Sequence, residues 1–91
     1  MSLPDFITAA SLRELAAAGT VRAVQLVPQG GGFVLVAKIG MIERVLRPAD
    51  DSKRPRLFKT IDAAAKFARG LGLARIQVEL ANWQPKQRAI A

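Results

Sequence analysis

The chain has no cysteine, no histidine and no tyrosine among its 91 residues. Without cysteine there is no disulfide, no thiol nucleophile and no zinc–thiolate site, and nothing marks the redox compartment. Without histidine, the commonest general base and the commonest transition-metal ligand are both missing. Aromatic residues are few, four Phe and one Trp. Phe33, Phe58 and Phe67 read as core and Trp83 stands alone, so a stacking platform for single strands is unsupported. No apolar run approaches the ~20 residues a membrane span needs. The start, Met1-Ser2-Leu3-Pro4-Asp5, lacks the basic n-region and long apolar stretch of a signal peptide. A cytoplasmic protein with no membrane contact is expected.

Acidic residues are also scarce: seven Asp+Glu face fourteen Lys+Arg, a formal net charge of +7. That excess makes an anionic partner the first one to test. Hydrophobic residues make up 51 % of the chain, but sixteen of them are alanine, so the bulky core is smaller than the figure suggests. The length allows one domain, residues 1–91, with 1–6 and 86–91 expected to fray at the ends.

Local signals order the elements. Thr8 is a candidate N-cap for a helix over 9–18 whose apolar positions Leu12, Leu15 and Ala16 recur at helical spacing, with Gly19 just past its end. Ser11 with Glu14 is a second possible capping box. Two runs rich in β-branched residues follow, 21–27 and 32–39, separated by Pro28-Gln29-Gly30-Gly31 read as a four-residue loop. Ile39-Gly40-Met41-Ile42 carries the type II′ signature, Gly at the first central position. This turn pairs Ile39 with Ile42, Lys38 with Glu43, Ala37 with Arg44 and Val36 with Val45. The four-residue loop would set Leu26 opposite Phe33 and Val24 opposite Leu35.

One sheet face then holds Val24, Leu26, Phe33, Leu35, Ile39, Ile42 and Leu46, the core. The other holds Val21, Ala23, Gln25, Val34, Val36, Lys38, Glu43, Val45 and Arg47. A polar loop and a short strand over 56–59 lead to a second helix from Ile61 to about Leu71, capped by Thr60 with Asp62 in its first turn. Residues 74–80 alternate Ile76, Val78 and Leu80 with Arg75, Gln77 and Glu79, a half-buried strand. The expected fold is α+β and two-layered. An antiparallel sheet of three to five strands, in chain order α-β-β-β-(β)-α-β, is covered on one face by two helices.

Catalysis finds little support. Each carboxylate (Asp5, Glu14, Glu43, Asp50, Asp51, Asp62, Glu79) has a plain structural role, and no pair has the spacing to converge on a substrate. Gly30-Gly31-Gly32 leads into a strand and so lacks the helix N-terminus of a phosphate loop. Asp50-Asp51-Ser52 reads as a solvated loop rather than a cation site. No catalytic, cofactor-binding or metal-ligating residue is assigned, and an enzyme is not expected.

The basic residues carry the signal. Arg47, Lys53, Arg54, Arg56 and Lys59 fall within thirteen residues, and Lys66 and Arg69 lie off the apolar stripe of the second helix. A loop and helix of this kind can neutralise several phosphates of DNA. On the second sheet face Ala23, Val34, Val36 and Val45 form an apolar patch rimmed by Lys38, Glu43 and Arg47, the mark of a protein interface. A homodimer is favoured, through this face or through an uncovered edge strand. The competing arrangement folds Trp83 and the tail back over the valines.

Certain blocks carry a resemblance to a known family. They are Thr8-Ala9-Ala10 with Leu12 and Leu15, Gly19-x-Val21-Arg22, Gly31-Gly32-Phe33, the run from Ile39 through Leu46, Arg56-Leu57-Phe58, and Gly72-Leu73-Ala74-Arg75-Ile76-Gln77-Val78. Over roughly residues 6–85 the chain resembles the small ParC-like proteins of plasmids and integrative elements, distinct from the topoisomerase subunit sharing that name. It differs in a longer loop over 48–55 and in lacking the extended charged C-terminal region of some relatives. The resemblance implies a non-enzymatic accessory role in partition or mobile-element maintenance, through DNA or a partition partner protein. Arg44 and Arg56 match family-like positions, and each can instead cover apolar surface and pair with Asp62 or Glu79. The alternative function is a protein–protein adaptor or antitoxin-like component using the second sheet face. Phe58-Lys59-Thr60 with Ala63-Ala64-Ala65 also resembles the DNA-binding domains of tyrosine recombinases, which read the major groove with a sheet face; the apolar centre of the second face here argues against that use.

Overall fold

Two glycine turns set the centre of the sheet. Gly30 and Gly31 both take positive φ, 57° and 83°, the backbone of a two-residue type I′ turn. Gly40 has φ 63° while Met41 does not cross to positive φ, as a type II′ turn requires. The computed structural model describes residues 5–50 and 53–81. Its elements in chain order are β1 (Asp5–Ile7), α1 (Ala9–Ala17), β2 (Val21–Gln29), β3 (Gly32–Ile39), β4 (Ile42–Leu46), α2 (Ile61–Gly70) and β5 (Gln77–Val78).

The β3–β4 register is the expected one, Val36↔Val45 through Ile39↔Ile42. The β2–β3 register differs. Because the glycine pair turns the chain in two residues rather than four, the strands zip up to Gln29↔Gly32, and Leu26 faces Leu35 while Val24 faces Ala37. The slip is two residues, a whole side-chain period, so the residues stay on their expected faces. Val21 is the exception. A bulge between Val21 and Ala23 sets it opposite Ile39 and turns it to the core side, where both pack against the core.

The sheet is mixed rather than antiparallel. Its strand order is β1-β4-β3-β2-β5, with both edge pairs, β1–β4 and β2–β5, parallel. The expected order lacked β1, a strand of three residues formed where fraying was anticipated. Each helix links two parallel strands: α1 carries the chain from β1 across to β2, and α2 from β4 to β5. Both connections step the same way across the sheet, and such crossovers are almost always right-handed, which puts their helices on the same face. The core agrees. Leu12 of α1 and Ala64 of α2 cluster with Ile7, Val24, Leu26, Phe33, Leu35, Ala37 and Leu46, all from one sheet face. Apolar pairs Ile7↔Leu46, Leu26↔Leu35 and Leu26↔Val78 carry the core face onto both edge strands.

Both helices start where their caps dictate. The Thr8 hydroxyl accepts from the Ser11 N–H at 3.1 Å and the Thr60 hydroxyl from the Ala63 N–H at 3.0 Å. Thr8, not Ser11, is therefore the cap of α1, and Gly19 (φ 75°) breaks away after it. The expected strand over 56–59 shrinks to one bridge, Phe33↔Phe58, closed by two backbone hydrogen bonds of 2.8 Å. The expected strand over 74–80 pairs only at Gln77–Val78, and Leu80 is 56 % exposed. Trp83 and the expected tail contacts lie outside the described residues, as do Asp51 and Ser52.

Candidate nucleic-acid and partner surfaces

The seven cations expected to meet DNA do not share one role. Arg47 follows β4, and its guanidinium donates to the Asp50 carbonyl at 2.5 Å and the Pro48 carbonyl at 3.5 Å, closing its own loop. Arg56 and Phe58 are two apart in extended chain and so point the same way. The α2 residue Phe67 brings its ring to 5.3 Å from that of Phe58, and the Arg56 guanidinium lies 4.7 Å from both ring centres. A sandwiched cation would hold the rings nearly twice as far apart, so Arg56 caps the pair from one side. The expected partners Asp62 and Glu79 play no part in this. Arg47 and Arg56 are engaged by the fold.

The others remain on the surface. Arg54 pairs with Asp50 at 3.8 Å and Lys66 with Asp62 at 3.4 Å, one helical turn apart, with side chains 61 % and 79 % exposed. Such exposed pairs are worth little and do not hide the cation from a stronger anion. Lys53, Lys59 and Arg69 are exposed and make no ion pair among the described residues. Lys66 and Arg69 are neighbours at three residues on the outer side of α2, and Lys59 immediately precedes its cap.

Sequence reasoning missed three contacts. Asp5 in β1 pairs with Arg44, as the Asp5↔Arg44 register requires; the signal was non-local. Arg13 of α1 donates to the Gly70 carbonyl at 3.4 Å, meeting the C-terminal carbonyls of α2. Arg22 donates to the Gly40 carbonyl at 3.3 Å. The expected Lys38–Glu43 cross-strand pair is present at 3.7 Å.

On the second sheet face, Ala23, Val36 and Val45 are half-buried and take no part in the core. Phe6, opposite Val45, extends their row onto β1. Val34 differs from the expectation. It is only 4 % exposed, so it offers a partner little surface.

Fold and surface together define a small basic α+β domain, a five-stranded mixed sheet with two helices, whose charge is concentrated after β4 and along α2. Among the described residues no three carboxylates gather into a cation site, and no helix is long and apolar enough to cross a membrane. The ParC-like family model matches residues 7–87, and the chain belongs to the ParC-like family. No curated protein and no solved structure matches it significantly.

Proposed function

We propose that this ParC-like protein is a non-enzymatic accessory of plasmid or mobile-element partition that holds DNA by its phosphates. The observation that carries this reading is the line of exposed cations Lys53, Arg54, Lys59, Lys66 and Arg69, borne on one stretch of chain with Asp62 the lone acid among them in the described residues. In this reading Arg47 and Arg56, engaged by loop carbonyls and by the Phe58–Phe67 pair, hold that stretch in place. The fold supporting it is two-layered, with both helices over one sheet face. Such a surface neutralises backbone charge and has no reader for base edges, so binding is sequence-tolerant.

The test is affinity for a random duplex against salt concentration. Five phosphate contacts give a slope of log K on log[salt] of about −4.5, and Lys66→Gln with Arg69→Gln lowers its magnitude by about 1.8. Absence of binding at low salt, or a flat dependence, overturns the reading.

A second reading concerns a homodimer. The row Phe6, Val45 and Val36, outside the core and half-buried, favours a second copy of the chain on this face, and the soluble interior of a cell is where both roles would operate. Sedimentation of Val36→Glu and Val45→Glu decides it. Both variants sediment as monomers if the face is the interface, and unchanged sedimentation refutes it.

A further inference from the structure

The outer edge of β2 is only half used. β5 pairs with it at Gln25↔Gln77 and Leu26↔Val78, and the Glu79 N–H adds a bond of 2.9 Å to the Leu26 carbonyl. Were the ladder to continue in the same register, residues 73–76 would lie along 21–24. No backbone hydrogen bond joins those two stretches. The bulge at Arg22 bends this end of β2, and the chain beside it stands off. A cleft of about 350 Å³ opens between them, lined by residues 21–24 and 73–77, Arg22 and Arg75 among them.

The chemistry of the cleft is specific. Two of its nine lining residues are arginines and none is acidic. Arg75 is exposed and makes no ion pair among the described residues, and Arg22 spends one donor on Gly40, leaving the rest of its guanidinium to a ligand. Val21, Leu73 and Ile76 are half-buried and give the cleft an apolar lining. An unpaired strand edge is a template for another extended chain, which gains main-chain hydrogen bonds from it and sends alternate side chains to opposite sides. A volume of this size suits a short segment rather than a globular surface.

We infer that this cleft receives an extended acidic peptide segment of a partner protein, which adds to the edge of β2 at residues 21–24, lays apolar side chains on the half-buried Val21 and Ile76, and pairs its carboxylates with Arg22 and Arg75. The inference does not depend on DNA binding. It uses a different edge of the molecule, and different arginines, from the surface along α2.

A fluorescein-labelled peptide, Glu-Val-Glu-Ile-Glu-Val-Glu, tests it by anisotropy with the full chain. Binding is expected, with a Lys-for-Glu version of the peptide at least tenfold weaker. Arg22→Gln with Arg75→Gln weakens binding at least tenfold. Lys66→Gln with Arg69→Gln leaves it within twofold. N-methylation at the central peptide bonds also costs at least tenfold, because it removes the added strand's N–H donors. In amide NMR spectra of the wild-type protein, titration moves the signals of residues 21–24 and 73–76. Equal binding of acidic and basic peptides, indifference to the double arginine variant, or shifts confined to α2 overturns the proposal. So does a duplex DNA titration that moves the 21–24 signals, which would assign the cleft to nucleic acid.

Discussion

Replacing Arg56 separates a residue that holds the fold from one that holds DNA. Its guanidinium lies 4.7 Å from the centres of both the Phe58 and Phe67 rings, and it is half-buried. Each cation–π contact contributes about 0.5–1 kcal/mol when exposed and about 2 kcal/mol when desolvated. The stem covers apolar surface besides. For Arg56→Ala these add to about 2 kcal/mol of lost stability. A domain of this length loses about 4–8 °C of Tm per kcal/mol, so the melting temperature falls by about 8–16 °C. Arg56→Lys keeps the charge but loses the planar stack over two rings, and costs about 1 kcal/mol. Differential scanning calorimetry reads the stability, and DNA binding is measured well below the melting point. If Arg56 caps the aromatic pair, both variants melt lower and neither changes the salt slope. If it is a phosphate contact instead, Arg56→Ala melts near wild type and the slope loses about 0.9, a result that would refute the structural role.

Two further perturbations probe the frame. A Cβ on Gly32 would lie 2.5 Å from the Phe58 carbonyl oxygen, which accepts from the Phe33 N–H. Gly32→Ala is therefore expected to push the returning chain off β3 and cost about 1–3 kcal/mol, read as a lower urea midpoint; a midpoint equal to wild type would sink this account of the bridge. Thr60→Ala removes the acceptor for the Ala63 N–H, and thermal melts should show a loss of about 1 kcal/mol, partly restored by Thr60→Ser. A loss that serine fails to restore would assign the effect to something other than capping.

The elements that could be read from sequence are those decided within a few residues. Thr8 and Thr60 cap their helices because the acceptor and its N–H donor are three residues apart. Gly40 fixes the β3–β4 register because a type II′ turn allows only one. The Gly30-Gly31 turn closes in two residues where the composition of 28–31 suggests four, an even difference that spares the division of side chains between faces. The bulge at Arg22 was not legible, and it moved Val21 across the sheet.

The candidate surface was legible as composition and not as roles. That cations crowd residues 47–69 follows from the sequence. Which of them face solvent depends on the folded chain, since only the packing of α2 on the core brings Phe67 beside Phe58 and so engages Arg56. Arg47 is taken up by carbonyls of a loop whose path no local rule gives.

The missing cysteines and histidines, the charge balance, the caps and the turn at Gly40 are properties of the sequence by itself, because each rests on residue identity or on neighbours in the chain. The parallel edges, the strand at Asp5–Ile7, the capped aromatic pair and the open edge of β2 belong to the tertiary structure alone. Each joins segments far apart in sequence, where pairing depends on the crossovers of α1 and α2, and no local pattern encodes the distance those crossovers span.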